Sequence, residues 1–154
     1  MVKIKTIKNI SITFGGINLE DIKAPECFYI EQKLRDQLKI PIMHDDQHGT
    51  AIISAAGLLN ALEIQKKKIQ NVKIVVNGAG AASIACMKLY ESLGAKHSNF
   101  IVFDKEGVLY EGRENLDEER KKFCVDVKFK AYDLAKALKD ADVFIGLSAG
   151  NVVT

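Results

Sequence analysis

The tightest constraint on this fold is a change of character within ten residues. Ile74-Val75-Val76 is the continuous apolar run that a parallel strand buried on both faces requires. It passes directly into Asn77-Gly78-Ala79-Gly80-Ala81-Ala82-Ser83, after which the pattern is helical to Leu93. Strand, glycine turn and helix in that order make a turn of the G-x-G-x-x-G type, with Ser83 in the third place. Gly78 permits the tight turn. Gly80 lets backbone approach a pyrophosphate at the helix N-terminus, where unpaired N–H groups and the helix dipole favour an anion. Asp104 closes the next strand 24 residues beyond Gly80, near the roughly 20 expected for an acid that bonds a ribose 2′-hydroxyl. The expected cofactor is therefore NAD or NADP. Asp104 would repel a 2′-phosphate and Lys105 would pair with one, so the choice between them stays open. The bland alternative is a βα turn with no ligand, and the agreement of three features ranks it second.

The rest of the chain extends this pattern on both sides. Asn99 to Phe103 reads as a strand, Gly107 to Arg113 as a loop, Leu116 to Phe123 as a charged short helix, Tyr132 to Leu138 as a helix and Val143 to Leu147 as a strand. Gly94 suits the left-handed position after a helix end. From residue 73 onward the order is strand, helix, strand, helix, strand. The expected fold class is α/β, a Rossmann-like parallel sheet with flanking helices. Before it, residues 2–13 read as a strand or extended segment ended by Phe14-Gly15-Gly16. Pro25 opens a helix with Cys27, Ile30, Leu34 and Leu38 on one face. Ile40 to Met43 reads as a short strand, residues 44–49 as a polar loop, and Thr50 to Ile64 as a helix. This divides the chain into residues 1–64 and a partial NAD(P)-binding part, 65–154, with one continuous domain as the alternative.

Composition excludes several classes. The chain has 154 residues, 22 basic and 20 acidic, for a net charge of +2. That balance argues against nucleic acid as a partner, and the length lets one ordinary core bury ~70% of the unfolded surface. Cys27, Cys86 and Cys124 are odd in number and lack C-x-x-C spacing, which suits free thiols in a reducing cytoplasm. Lys3, Lys5 and Lys8 break up the apolar start, so no signal peptide fits. The longest uncharged stretch, residues 47–62, falls short of the roughly 20 apolar residues a membrane span needs.

Two acidic pairs stand apart from the glycine turn, Glu20-Asp21 and Asp45-Asp46. Carboxylate oxygens are what Mg²⁺ or Mn²⁺ prefer, and residues from separate loops can hold one such ion. On spacing alone, solvated turns or a helix cap near Thr50 explain each pair better than a metal does. His44 and His48 are four apart, but Gly49 argues against their sharing a helical face, so a zinc site is disfavoured.

At these residues the sequence resembles the malic enzymes, in particular the bacterial branch. The matching text is Phe14-Gly-Gly-Ile-Asn-Leu-Glu-Asp-Ile-Lys-Ala-Pro-Glu-Cys-Phe28 and Ile42-Met-His-Asp-Asp-Gln-His-Gly-Thr-Ala51. It continues through Gly57-Leu-Leu-Asn-Ala-Leu62, Val75-Val-Asn-Gly-Ala-Gly-Ala-Ala-Ser-Ile84 and Asp142-Val-Phe-Ile-Gly-Leu-Ser-Ala149. Gly150-Asn151 departs from it where a proline-containing turn is expected.

The resemblance implies metal-dependent oxidative decarboxylation of malate to pyruvate and CO₂, with NAD⁺ or NADP⁺ reduced. By motif it implies Glu20, Asp21 and Asp46 as ligands of Mg²⁺ or Mn²⁺, Asp45 as the carboxylate orienting the catalytic base, and Gly78 to Ser83 as the pyrophosphate turn. It also implies that the proton-transfer lysine and tyrosine belong to a segment before Phe14, so the isolated chain is expected to be inactive. Malate or pyruvate is then the small-molecule partner, and a homo-oligomer is expected because a cut sheet leaves an open edge. A non-catalytic dinucleotide-binding or docking module is the alternative. An amino-acid dehydrogenase ranks below both, since it needs no metal clamp.

Overall fold

The computed structural model describes residues 2–153. Ile74–Asn77 (β3), Phe100–Asp104 (β4) and Val143–Gly146 (β6) form a parallel sheet with β3 at its centre. Gly107–Val108 (β5) adds an antiparallel edge beside β4, giving the order β5-β4-β3-β6. Pleating divides these strands between two cores. Ile74, Val76, Phe100 and Val102 face the helices Asp45–Ile64 (α3) and Ala81–Ser92 (α4), packing with Leu58, Leu62, Ile84 and Met87. Val75, Ile101 and Phe103 face the other way, onto Val108, Val125 and Ala137, the last on Leu134–Leu138 (α6). Burial on both faces is why β3 and β4 read as unbroken apolar runs rather than as alternation.

A second, two-stranded parallel sheet precedes this one, Ile17–Leu19 (β1) beside Ile42–His44 (β2). Glu26–Gln37 (α2) covers it, burying Cys27, Ile30, Glu31 and Leu34. Ile30 and Leu34 pack with Leu19 and Ile42 in a third cluster.

Three expectations are corrected. Residues 2–13 are not extended: Val2–Ile10 (α1) is a helix, followed by a 3₁₀ turn over Ser11–Thr13. Ile4 and Ile7, three apart, fall on one face and pack against the α2 cluster, while Lys3 reaches Glu26 at 3.0 Å. Residues 45–49 are not a loop, because α3 starts at Asp45 after the extended residue His44. Asp45 and Asp46 in the first turn suit the positive end of the helix dipole. Gly49 does not break the helix. It makes room for a side chain, since a Cβ there would lie 2.3 Å from Asp45 Oδ1. Within residues 107–113, Gly107 and Val108 are paired to Asp104 and Phe103.

The charged segment forms a single short helix, Glu118–Lys121 (α5), capped by Asp117, whose Oδ1 accepts from Arg120 N at 2.9 Å. No helix among the described residues is long and apolar enough to cross a membrane.

Candidate functional site

The chain turns sharply where β3 hands over to α4. Gly78 has φ +108°, and a Cβ there would lie 2.3 Å from the carbonyl oxygen of Leu147. Only glycine fits such a position, on torsion and on space. The neighbours pin the turn from both sides: Gly78 N donates to Phe103 O at 2.9 Å, Leu147 N donates to Asn77 O at 2.9 Å, and Asn77 Nδ2 donates to Ser148 Oγ at 3.0 Å. Gly80 stands just before α4 with φ −85°, and a Cβ on it would meet nothing within 4 Å. The need for glycine there is access, not torsion.

This turn lines a cleft of about 530 Å³ at the carboxyl ends of β3, β4 and β6, with Asp104, Lys105 and Ser148 opposite. Strands leave β3 on both sides, so the cleft lies at a topological switch point, where open α/β sheets bind ligands. The first N–H groups of α4 have no acceptor within the helix. An anion at this end of α4 would meet backbone donors and the positive helix terminus together. Ala81 and Ala82 begin α4 with side chains too small to obstruct it, and Ser83 is fully buried, its Oγ without a hydrogen-bond partner among the described residues.

Asp104 lines the cleft as its spacing predicts, but it is not free. Arg113 Nη2 lies 2.8 Å from both of its carboxylate oxygens, and both side chains are about nine-tenths buried. Arg113 Nη1 donates to the carbonyls of Val108 and Gly107, at 2.9 and 3.2 Å. Burial alone would lower the guanidinium pKa. The hydrogen bonds and charge of Asp104, then those of Glu106, outweigh that and hold it above its ordinary value. Asp104 Oδ1 also accepts from Glu106 N at 2.8 Å, which fixes the turn. Lys105 is almost fully exposed beside this pair.

Two arginines, Arg113 and Arg120, line the cleft although no motif in the sequence marks them for it. Arg120 Nε donates to Ala79 O inside the glycine turn at 2.9 Å. The local pattern contains no sign of either contact, since Arg120 is 41 residues from Ala79.

The acidic pairs occupy a second place. Pairing of Leu19 with His44 across β1 and β2 brings Glu20-Asp21 and Asp45-Asp46 to the same strand ends. Asp46 Oδ2 accepts from Asp21 N at 3.0 Å, and Glu20 Oε1 accepts from Asn18 Nδ2 at 2.8 Å. His44 is wholly buried beneath, with neither ring nitrogen hydrogen-bonded among the described residues and Nε2 3.7 Å from Asp46 Oδ2. His48, in the helix, turns away from it to Glu31 at 2.7 Å, and Glu31 also accepts from Gln47. Among the described residues, no three His, Cys, Asp or Glu side chains converge on one point.

Burial raises the thiols of Cys27, Cys86 and Cys124 above their ordinary value.

Comparison with known proteins places this geometry. Residues 47–153 match the family described as malic enzyme, NAD binding domain. The NADP-dependent malic enzyme of Haemophilus influenzae is 54% identical over 149 residues, 96% of this chain and 20% of that protein. The NAD-dependent malic enzyme of Rhizobium meliloti is 51% identical over 150 residues, 97% of this chain and 19% of that protein. Among solved structures, that of Entamoeba histolytica malic enzyme superimposes with a TM-score of 0.92 at 39% identity, covering 99% of this chain and 33% of the other. The chain therefore spans about a fifth of the length of these curated relatives.

Proposed function

We propose, from the premise that this chain belongs to the malic enzyme family through its NAD-binding domain, that it is the cofactor-holding part of an oxidoreductase that decarboxylates malate. In this reading malate gives pyruvate and CO₂ while NAD⁺ or NADP⁺ takes the hydride. The observation that carries it is the cleft at the strand ends, where Gly78 to Ser83 and the first N–H groups of α4 face one space. Gly78 to Ser83 and the first N–H groups of α4 would hold the pyrophosphate through backbone donors. Paired with Arg113, Asp104 no longer presents a bare charge to a 2′-phosphate. The simplest reason to exclude NADP is thereby removed, and relatives of both cofactor names are consistent with this.

Glu20, Asp21 and Asp46 are the proposed ligands of Mg²⁺ or Mn²⁺, and Asp45 the carboxylate that orients the catalytic base. Support for them is chemical: an oxygen donor set suits a hard divalent cation, and β1 and β2 deliver all four to neighbouring strand ends. Their side chains as placed do not close a three-ligand set, so they fit the ion by chemistry and not by geometry.

A homo-oligomer in the cytoplasm belongs to the same reading. Ile52, Ile53 and Leu59 are exposed on α3, β6 is an edge strand, and free cysteines suit a reducing compartment. A clean monomer on size-exclusion chromatography would remove the oligomer.

Calorimetric titration of the chain with NAD⁺ and NADP⁺, with and without Mn²⁺, tests the whole. Dinucleotide binding is expected, and Mn²⁺ binding is expected to be lost in Glu20→Gln and Asp46→Asn. Unchanged metal affinity in those variants would remove the ligand assignment and leave a non-catalytic nucleotide-binding module.

A further inference from the structure

Two arginines line the nucleotide cleft, and their guanidinium groups are in opposite conditions. That of Arg113 is spent. Nη1 holds two carbonyls, and Nη2 holds Asp104 and, at 3.1 Å, Glu106. That of Arg120 is anchored at one corner only. Nε donates to Ala79 O at 2.9 Å and lies 3.5 Å from Asp117 Oδ2, while among the described residues Nη1 and Nη2 have no hydrogen-bond partner. The side chain is about one-third exposed, and it borders the cleft together with Gly78 and Gly80.

We propose that Arg120 is a phosphate-binding residue, anchored through Nε to the glycine turn and presenting its Nη pair to the pyrophosphate of the dinucleotide. The inference rests on the dinucleotide reading above and adds to it a charged donor. Backbone N–H groups supply partial charge at the α4 terminus, whereas a guanidinium supplies a full positive charge and a fork that matches two phosphate oxygens. The anchor also sets direction. A trans peptide holds its C=O and N–H antiparallel, so fixing Ala79 O toward Arg120 turns Gly80 N–H to the opposite side. Asp117 holds α5 in register for this by capping it through Arg120 N.

The test compares a ligand that carries phosphates with one that does not. NAD⁺ is titrated by calorimetry and adenosine by NMR shift, against wild type, Arg120→Ala and Arg120→Lys. Arg120→Ala is expected to weaken NAD⁺ about tenfold or more, as loss of a charge-assisted pair does. Arg120→Lys is expected to fall in between, keeping the charge and losing the fork, and it carries the test if the alanine variant unfolds. Adenosine affinity stays within about twofold in both, since it lacks the group Arg120 holds. Equal NAD⁺ affinity in wild type and Arg120→Ala overturns the proposal, and so does an equal loss of adenosine binding, which would make Arg120 merely structural. Wild type that binds adenosine but neither NAD⁺ nor NADP⁺ overturns the dinucleotide reading itself, and Arg120's role with it.

Discussion

The two candidate sites are built from different materials. At the nucleotide cleft, backbone does the holding: Gly78 is bonded to β4, Asn77 O to Leu147 just past β6, and Ala79 O to an arginine from α5. The strands carrying it are buried on both faces. At the acidic pairs, side chains do the holding. Two three-residue strands deliver the carboxylates, one bond from Asp21 N to Asp46 Oδ2 ties them, and Asp46 is half exposed. A site made of pinned backbone is set before its ligand arrives, and one made of exposed side chains keeps its rotamer freedom until something fixes it. The cleft should therefore be sensitive in stability, and the carboxylates in binding alone.

Substitutions can break this contrast, beginning with the largest effect. Gly78→Ala should destabilise the chain by about 3 kcal/mol in urea unfolding, because its Cβ meets Leu147 O and its φ is positive. Gly80→Ala, with open space around its Cβ, should cost at most about 1 kcal/mol and yet weaken NAD⁺. If the two variants unfold alike, the turn is not pinned as described. Arg113→Ala should come next, at about 2–3 kcal/mol, since it strands the buried carboxylate of Asp104. Glu31→Ala should cost about 1–2 kcal/mol by leaving Gln47, which is buried, without its acceptor. By contrast Asp46→Asn should move stability by less than about 0.5 kcal/mol while removing Mn²⁺ binding. A large loss of stability in Asp46→Asn would erase the distinction between the sites.

The smallest effect concerns pH. Asp142 accepts from Lys67 Nζ and from Lys73 N, the latter at 2.8 Å, and these hydrogen bonds hold its pKa below the ordinary value. A carboxylate whose folded pKa is depressed stabilises the fold above its unfolded pKa of about 3.9 and loses that contribution as pH falls through the folded value. The Asp142 side chain is about one-quarter exposed and its partner Lys67 about half, so solvent screening keeps the effect small. Thermal melting of Asp142→Asn should fall slightly below wild type at pH 7 and converge with it in acid. Convergence at neutral pH instead would remove the ion pair as a contributor.

What was legible in the chain follows the same division. β3, α4, β4 and β6 were readable because continuous apolar runs and a glycine turn are local signals, and the resemblance to malic enzymes pointed to both candidate sites. The first turn of α3 was not, because Gly49 reads as a breaker until Asp45 is seen lying over it. The helix over Val2–Ile10 was hidden by a weak alternation, and its packing partner lies 20 and more residues away on α2. Ser83 looked like a near-alanine; its hydroxyl is buried without a partner among the described residues. Arg113 and Arg120 were invisible as cleft residues for one reason: an arginine in a charged segment gives no sign of the carbonyl or carboxylate it will find.

Gly78 is packed against the carbonyl of a residue far along the chain, Leu147. The cradle for the cofactor should therefore be completed late in folding. Its parts can form early, β3 and α4 being neighbours in sequence, but its shape waits for a loop of roughly 70 residues to close, and long loops close slowly. Nucleotide affinity then doubles as a report on whether the last strand has docked. A cut in the chain between α6 and β6 that frees this strand should silence binding while most of the helix content remains.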